Sequence, residues 1–324
     1  MRPTDTLSRD TAAVADTLAA MIKREEEQLT TSSSHEDGYL DPSDPTMITA
    51  DDRKKLVDWC YHVVDHCQLS RVTVASAMEM VDRFLSITSI SNSADADATT
   101  VRAVSDEALR DQSKFQLLTV TALYVAIKVN ERVASSSDLF AEMCSQVYTI
   151  KEIEDMELVL LSGLSWRCHA PTAHQVGLSI LSLILPYVDI PEASWGFLMD
   201  EMKYLIELAV LDYYFSTQRT STVALAAIYN AIGDMRSEGH RERLRAFLSV
   251  IVECFDFDHF KQISKVRRRL QSLLLQDDDV DERSLEEGSV GLDDSVKTFR
   301  VSNRSSQERD LEGSYISYER DEMG

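Results

Sequence analysis

The sequence has 324 residues and a formal net charge of −22, from 33 Lys and Arg against 55 Asp and Glu. Its 10 Gly and 6 Pro fall well below the average usage of about 7% and about 5%. Because both residues break helices, their scarcity excludes turn-rich all-β designs and indicates a helical protein. The negative charge disfavours nucleic-acid and anionic-membrane binding, since both need a basic surface. We therefore expect protein partners, with no direct nucleic acid and no membrane.

Residues 1–49 are predicted to form an N-terminal helix and a linker. Apolar side chains recur at helical spacing over residues 10–29, in a single narrow stripe. A helix with one narrow apolar stripe must dock on another part of the protein to be stable. Residues 30–49 contain one Gly and two Pro and are read as the linker.

Residues 50–170 are predicted to form a first helical domain. No Pro occurs between residues 46 and 170. Apolar residues recur at helical spacing in four segments, at about 50–67, 70–88, 113–130 and 149–163, and in a shorter one at 135–146. Between them, residues 89–112 form a polar insert. We expect this insert to be a surface loop with one short helical turn near residues 103–109.

Residues 171–275 are predicted to form a second domain, with helices at 172–185, 195–213, 219–233, 239–254 and 257–275. Residues 121–126 and 223–228 resemble each other and are apolar nearly all round. Such a segment is typical of a helix enclosed by others. The predicted fold is therefore all-α, with two tandem five-helix domains that are each built round a central helix.

The last segment, residues 276–324, is predicted to be a disordered acidic tail. It carries −9, from 15 acidic and 6 basic residues, so −13 remains for residues 1–275. High net charge with few large apolar residues leaves too little surface to bury for a stable core.

Two charge pairs interrupt the apolar helix faces. Glu157 falls inside the apolar arc of its predicted helix, and a buried carboxylate needs a cationic partner. Lys128, at the end of the apolar run 119–127, is the best candidate. The alternative is that Lys128 complements a helix dipole while Glu157 extends outward. Arg53 and Asp82 lie at apolar margins of two other helices with opposite charges, which favours a structural ion pair.

The sequence lacks the motifs of a catalyst or a metal site. There is no Gly-x-Gly loop, no Gly-x-Ser-x-Gly and no His-Glu-x-x-His. Five scattered cysteines form no Cys-x-x-Cys pair, so neither a disulfide scaffold nor a zinc module is indicated. We expect no enzyme activity, no catalytic residue, no cofactor and no metal.

The charge interruptions coincide with the signature of the cyclins, the regulatory subunits of cyclin-dependent kinases. The chain resembles a cyclin box from about residue 51 to residue 171, in the stretches Arg53-Lys-Lys-Leu-Val-Asp-Trp, Asp82-Arg-Phe-Leu-Ser, Phe115-Gln-Leu, Ala126-Ile-Lys and Met156-Glu. Five typical positions match in order: Arg53, Asp82, Leu117, Lys128 and Glu157. The remainder is similar to the second cyclin fold, and the N-terminal helix is most similar to that of the expanded cyclins of diatoms.

The resemblance implies a regulatory subunit that forms a heterodimer with a cyclin-dependent kinase, activates it and controls cell-cycle progression. Lys128 and Glu157 would bind the backbone of the kinase's regulatory helix. Arg53 and Asp82 would form the structural ion pair of the box, and Leu117 would belong to its core. Kinase substrates or inhibitors are further partners, and the location is the nucleus or cytoplasm, with the nucleus favoured.

A substrate-docking patch is matched only in part. Leu56, Trp59, Phe115 and Gln116 match this patch of the substrate-recruiting cyclins. However, Asp52, Lys55 and His62 stand where Met, Ile and Glu are typical. The loss of two apolar side chains and one acidic side chain predicts weak or altered docking of basic-apolar peptides.

Two alternative functions remain open on the sequence. One is a pseudo-cyclin adaptor that binds a kinase without activating it. The other is a transcription-type scaffold with the cyclin fold but no cell-cycle kinase activation. The charge of −13 on residues 1–275 argues against a scaffold that contacts DNA.

Overall fold

A computed structural model of the protein describes residues 3–31, 38–88, 96–131, 147–255 and 260–287. Within these ranges the secondary structure is entirely helical, as predicted. The helices are α1 Pro3–Thr31, α2 Ala50–His66, α3 Val72–Thr88, α4 Ala96–Ala108, α5 Gln112–Asn130, α6 Ile150–Gly163, α7 Ala173–Ile184, α8 Glu192–Leu211, α9 Thr220–Asp234, α10 Glu238–Cys254 and α11 Phe260–Glu287. Two short 3-10 helices cover Leu185–Tyr187 and Tyr213–Thr217. No helix in the described part of the chain is long and apolar enough to cross a membrane.

Three of these helices begin at a reciprocal capping motif that the sequence encodes. Thr49, Thr149 and Thr172 each accept a hydrogen bond from the backbone of the third helical residue, whose side chain bonds back to the cap. These motifs satisfy backbone N–H groups that a helix start leaves without partners. They fix where α2, α6 and α7 begin.

The buried side chains form two apolar clusters, each round one enclosed helix. In the first cluster, every residue of α5 from Leu117 to Ile127 is buried. In the second, α9 is buried from Ser221 to Ile228. These two helices are the central helices that the sequence predicted. The domain boundaries at residues 49, 170 and 275 stay a prediction.

Helix α1 docks on the second cluster, as expected from its narrow stripe. It packs on α7, and Leu18 is fully buried among the residues of that cluster. Buried Glu25 accepts hydrogen bonds from the backbone N and the hydroxyl of Ser221, at 2.8 and 2.6 Å. Because Arg219, the N-cap of α9, makes no side-chain cap, a carboxylate from α1 caps α9 instead.

Three expectations from the sequence are wrong in part. The polar insert is not a loop throughout, because α4 occupies Ala96–Ala108 and buries Val101 and Ala108 against its neighbours α5 and α6. Helix α1 begins at Pro3, before the predicted start at residue 10. Helix α11 continues to Glu287, so residues 276–287 are helical rather than a disordered tail. The predicted helix at 135–146 and the remaining tail lie outside the described residues.

The predicted linker is packed rather than loose where the structure describes it. Tyr39, Leu40 and Ile48 are all buried. The Tyr213 hydroxyl accepts hydrogen bonds from the backbone N atoms of Tyr39 and Leu40, at 2.7 and 2.9 Å. Gly38 adopts a positive φ of 70°, and a Cβ there would lie 2.3 Å from the Tyr213 hydroxyl. Only glycine fits this close approach.

Candidate functional site

Lys128 and Glu157 form an ion pair at the surface between α5 and α6. The Lys128 Nζ lies 2.5 Å from a Glu157 carboxylate oxygen and 4.6 Å from the centre of the Tyr124 ring. The Lys128 side chain is 38% exposed and that of Glu157 is 15% exposed. The structure therefore brings together the two residues that the sequence singled out, with the lysine reaching solvent over an aromatic face.

Large apolar side chains are exposed on the same two helices and just beyond them. The exposed fractions are 37% for Val129, 59% for Leu158 and 68% for Trp166. Val129 follows Lys128 in the chain, and Leu158 follows Glu157. The sequence reasoning missed these three residues. Leu158 could have been found from the sequence, because it lies at about 80° from Ile150 on a helical wheel, outside the apolar arc. An apolar residue at such a position is expected to be exposed.

Trp166 has an unusual backbone as well as an exposed ring. Ser165 and Trp166 have φ angles of 51° and 61°, in the left-handed region that bulky residues rarely adopt. The Trp166 N–H donates to the carbonyl of Leu161 at 2.8 Å, which closes the end of α6. An exposed indole held in a costly conformation is typical of a functional position.

Arg53 and Asp82 form a buried, doubly bonded ion pair. Arg53 Nε and Nη2 donate to the two Asp82 oxygens at 2.9 and 2.7 Å, and Arg53 Nη1 donates to the Val210 carbonyl at 2.8 Å. Tyr39 donates its hydroxyl proton to Asp82 at 2.7 Å. Burial opposes the Arg53 charge, but the attraction of Asp82 outweighs it and raises the arginine pKa. The pKa of Tyr39 is raised, mainly by burial and next by the negative charge of Asp82.

This cluster connects the two halves of the chain. Val210 lies on α8, a helix whose buried residues belong mainly to the second cluster, whereas the ion pair belongs to α2 and α3. A second connection has the same form, since Arg71 Nε donates to Glu207 of α8 at 2.9 Å and Arg71 Nη1 donates to Asp65 at 2.5 Å. The Arg53–Asp82 pair is thus largely buried and bonded to the backbone of α8.

The substrate-docking residues are placed unevenly. Leu56, Trp59 and Gln116 are half-buried, whereas Phe115 is fully buried and Leu117 is a core residue. A peptide on this surface could therefore touch Phe115 only after a rearrangement. The replacing residues have partners of their own: Asp52 bonds Thr49, Lys55 pairs with Asp51 at 2.6 Å, and His62 bonds the Asp58 carbonyl. Weak docking at this patch stays a prediction.

In the described ranges, no three or more His, Cys, Asp or Glu side chains are grouped so that they could hold a metal ion. The candidate site for another molecule is described by Lys128, Glu157 and the exposed apolar side chains on and just beyond the same two helices. A charged pair on helices that also expose apolar groups suits a protein interface, because charges orient a partner and apolar area binds it.

Comparison with known proteins shows similarity to cyclins. The profile of the cyclin N-terminal domain matches residues 16–169. Putative cyclin-A3-1 of Arabidopsis thaliana is 27% identical over 193 residues, which cover 60% of this chain and 48% of that protein. The G2/mitotic-specific cyclin-B of Arbacia punctulata is 25% identical over 248 residues, 76% of this chain and 52% of that protein. The chain thus spans about half the length of these relatives.

A solved structure shows the same fold. The viral cyclin from herpesvirus saimiri aligns with 79% of this chain and 97% of its own, with a TM-score of 0.51 and 15% identity. The likeness to the diatom subgroup stays a prediction. The domain profile, the cyclin relatives and the shared fold agree with the five signature residues: residues 16–169 of this chain match the cyclin N-terminal domain, and the chain is similar to cyclins.

Proposed function

We propose that this chain is the regulatory subunit of a cyclin-dependent kinase, and that it binds and activates the kinase without doing chemistry itself. The observation that carries the proposal is the Lys128–Glu157 ion pair, which is partly exposed and lies on two helices that also expose apolar side chains. An ion pair suited to binding another protein implies that the chain acts through that protein.

The pair keeps hydrogen-bonding capacity for a partner. An ammonium has three donors and a carboxylate has about four acceptor sites, and the contact between Lys128 and Glu157 uses one of each. The pair can therefore offer both a donor and an acceptor to the backbone of a kinase helix. Because Glu157 and the Tyr124 ring already orient Lys128, less side-chain freedom is lost on binding.

The exposed apolar groups supply the affinity in this proposal. Trp166 and Leu158 present large apolar area, and buried Trp residues commonly dominate interface energies. A kinase helix seated on this surface would be biased toward its active position, which completes the kinase Lys–Glu ion pair.

We further propose a role in cell-cycle progression, in the nucleus or cytoplasm with the nucleus favoured. Support comes from the names of relatives, which include a G2/mitotic-specific cyclin-B. Substrates and inhibitors that reach the kinase through this chain are proposed secondary partners.

Co-purification with candidate cyclin-dependent kinases, followed by a phosphotransfer assay, tests the proposal. Lys128→Ala and Glu157→Ala should each lose kinase binding, whereas Lys54→Ala, an exposed lysine on α2, should keep it. Binding without phosphotransfer would instead favour the adaptor. No binding by the unmodified chain to any of the kinases would favour the scaffold. Unchanged binding in both pair variants would refute the proposed interface.

A further inference from the structure

A cavity of about 310 Å³ lies between the two halves of the molecule. We call it the interdomain cavity and define it by residues of α3, the segment after α6, α8 and α9. Its wall is largely apolar, with Met78, Leu164, Ile206, Phe215 and Val223 among the lining residues. Its volume is at the lower end of the range for small-molecule sites, which commonly lie where domains meet.

One face of α3 supplies the polar side of the cavity. Ala75, Glu79, Asp82 and Ser86 recur at spacings of three and four residues and all line it. Arg53, Arg83 and Arg167 line it too. A charged strip thus lies along one wall of the cavity, whose other walls mix apolar and polar side chains. Whether each charge already has a partner decides what the cavity can bind.

Most of these charges already have partners. Both Asp82 oxygens accept from Arg53, and the remaining Arg53 nitrogen donates to Val210. Arg83 Nη2 donates to the carbonyl of Arg167, and Arg83 Nε is buried without a hydrogen-bond partner in the described structure. Arg53 and Arg83 therefore offer no accessible, unused donor that would favour an anion, whereas the exposed Arg167 side chain also lines the cavity.

Glu79 differs from its neighbours. Its carboxylate lies 3.3 Å from Arg83 Nε, an ion pair without hydrogen-bond geometry, and its side chain keeps 22% exposure toward the cavity. Burial raises the pKa of this carboxyl to about 7, against the attraction of Arg83. The carboxylate is therefore poorly stabilised as it stands and has acceptor capacity to spare.

We propose that the interdomain cavity binds a small organic cation, whose ammonium group donates to the Glu79 carboxylate and whose hydrocarbon body rests on the apolar wall. The cation would form the charged hydrogen bond with Glu79 that Arg83, at 3.3 Å and without hydrogen-bond geometry, does not form. Its body fills apolar space that would otherwise hold poorly bonded water. Since both halves of the chain line the cavity, the ligand would contact both at once.

Three probes of one shape test the sign of the charge. They are 2-phenylethylammonium, the neutral 2-phenylethanol and the anionic phenylacetate, titrated into the full chain by calorimetry. The cation should bind at least about ten-fold more tightly than either of the others, as a hydrogen bond to a charged group predicts. Equal binding of all three, tighter binding of phenylacetate, or no binding of the cation would overturn the proposal.

Variants then locate the site. Glu79→Gln should weaken cation binding by at least about ten-fold, while Glu107→Gln, an exposed carboxylate on α4, should leave it unchanged. Ala75→Leu should block the hydrocarbon body and keep the Glu79 charge, so binding should fall there as well. Full cation affinity in both Glu79→Gln and Ala75→Leu would place the ligand elsewhere. Should Glu79→Gln not fold, the probe comparison and Ala75→Leu still decide the question.

Discussion

The Glu25 carboxylate on α1 accepts two hydrogen bonds from Ser221, which lies 196 residues further along the chain. This contact replaces a local N-cap at the start of the central helix α9. The N-terminal helix therefore completes a part of the fold that the second half of the chain leaves unfinished.

Glu25→Ala should lower the free energy of unfolding by about 1–2 kcal/mol, the usual cost of a lost N-cap. Chemical denaturation measures it. The neighbouring Glu26 is exposed, so Glu26→Ala is the matched control and should change stability by less than about 0.5 kcal/mol. Equal effects of the two variants would mean that the cap contributes nothing.

Arg53→Ala should lower stability by about 3–5 kcal/mol, because it leaves Asp82 buried with a charge and without its cationic partner. Thermal and chemical denaturation measure the loss. Lys54→Ala, which removes a neighbouring exposed lysine, should have little effect. A loss under about 1 kcal/mol for Arg53→Ala would show that solvent or Tyr39 compensates Asp82 fully.

Lys128→Ala should change the stability of the free chain much less than Arg53→Ala does. Its pair is partly exposed, and such pairs contribute about 0–1 kcal/mol to stability. A double-mutant cycle with Glu157→Ala in the free chain measures that coupling by denaturation. A coupling above about 2 kcal/mol would assign the pair a structural role like that of Arg53 and Asp82.

Trp166→Asn should keep or increase stability, by up to about 1 kcal/mol, because asparagine tolerates the left-handed conformation better than tryptophan. The same variant should weaken kinase binding, since it removes the most exposed large apolar side chain of the proposed interface. Denaturation and a binding titration test the two halves. Val250→Asn, a remote exposed position on α10, should leave binding unchanged.

Glu79 should make stability fall as the pH rises. Its pKa in the folded chain is about 7, above the ordinary value of 4.5, so the folded state holds a proton that the unfolded state has released. Stability from this group is full below pH 4.5 and is lost as the pH rises to about 7. Asp82 and Arg83 face the carboxyl and act in opposite directions on its pKa.

The effect of Glu79 is measured by comparing the pH dependence of the melting temperature in the unmodified chain and in Glu79→Gln. The melting temperature of the unmodified chain should decline more steeply between pH 5 and about 7.5 than that of Glu79→Gln. The other titrating groups, including the histidines, are common to both proteins and cancel in the comparison. Parallel curves would mean that the carboxyl is ionised throughout this range.

The sequence predicted the charge pairs because each charge interrupts a periodic apolar stripe. Arg53, Asp82 and Glu157 stand out on a helical wheel without any knowledge of the partner element. Contacts such as Glu25 with Ser221 interrupt nothing and depend on how distant helices pack. They carry no local signal, so only the three-dimensional arrangement reveals them.

Helix α4 shows a second limit of sequence reasoning. Its segment is polar, with few large apolar residues, and polarity without periodicity is read as loop. Yet Val101 and Ala108 anchor it against the first cluster, so burial at two positions decides the structure. Glu79 was missed for a related reason, since a carboxylate on a helix surface looks solvated until a second domain covers it.

The Tyr213 hydroxyl uses both of its lone pairs on the backbone of Tyr39 and Leu40. The tyrosine belongs to the 3-10 helix that follows α8, whereas its two donors are the first residues of the first cluster along the chain. A single phenol therefore couples segments that are synthesised far apart in time. A nascent chain cannot finish the start of its first domain until the first two helices of the second have emerged, so the two domains complete their folding together.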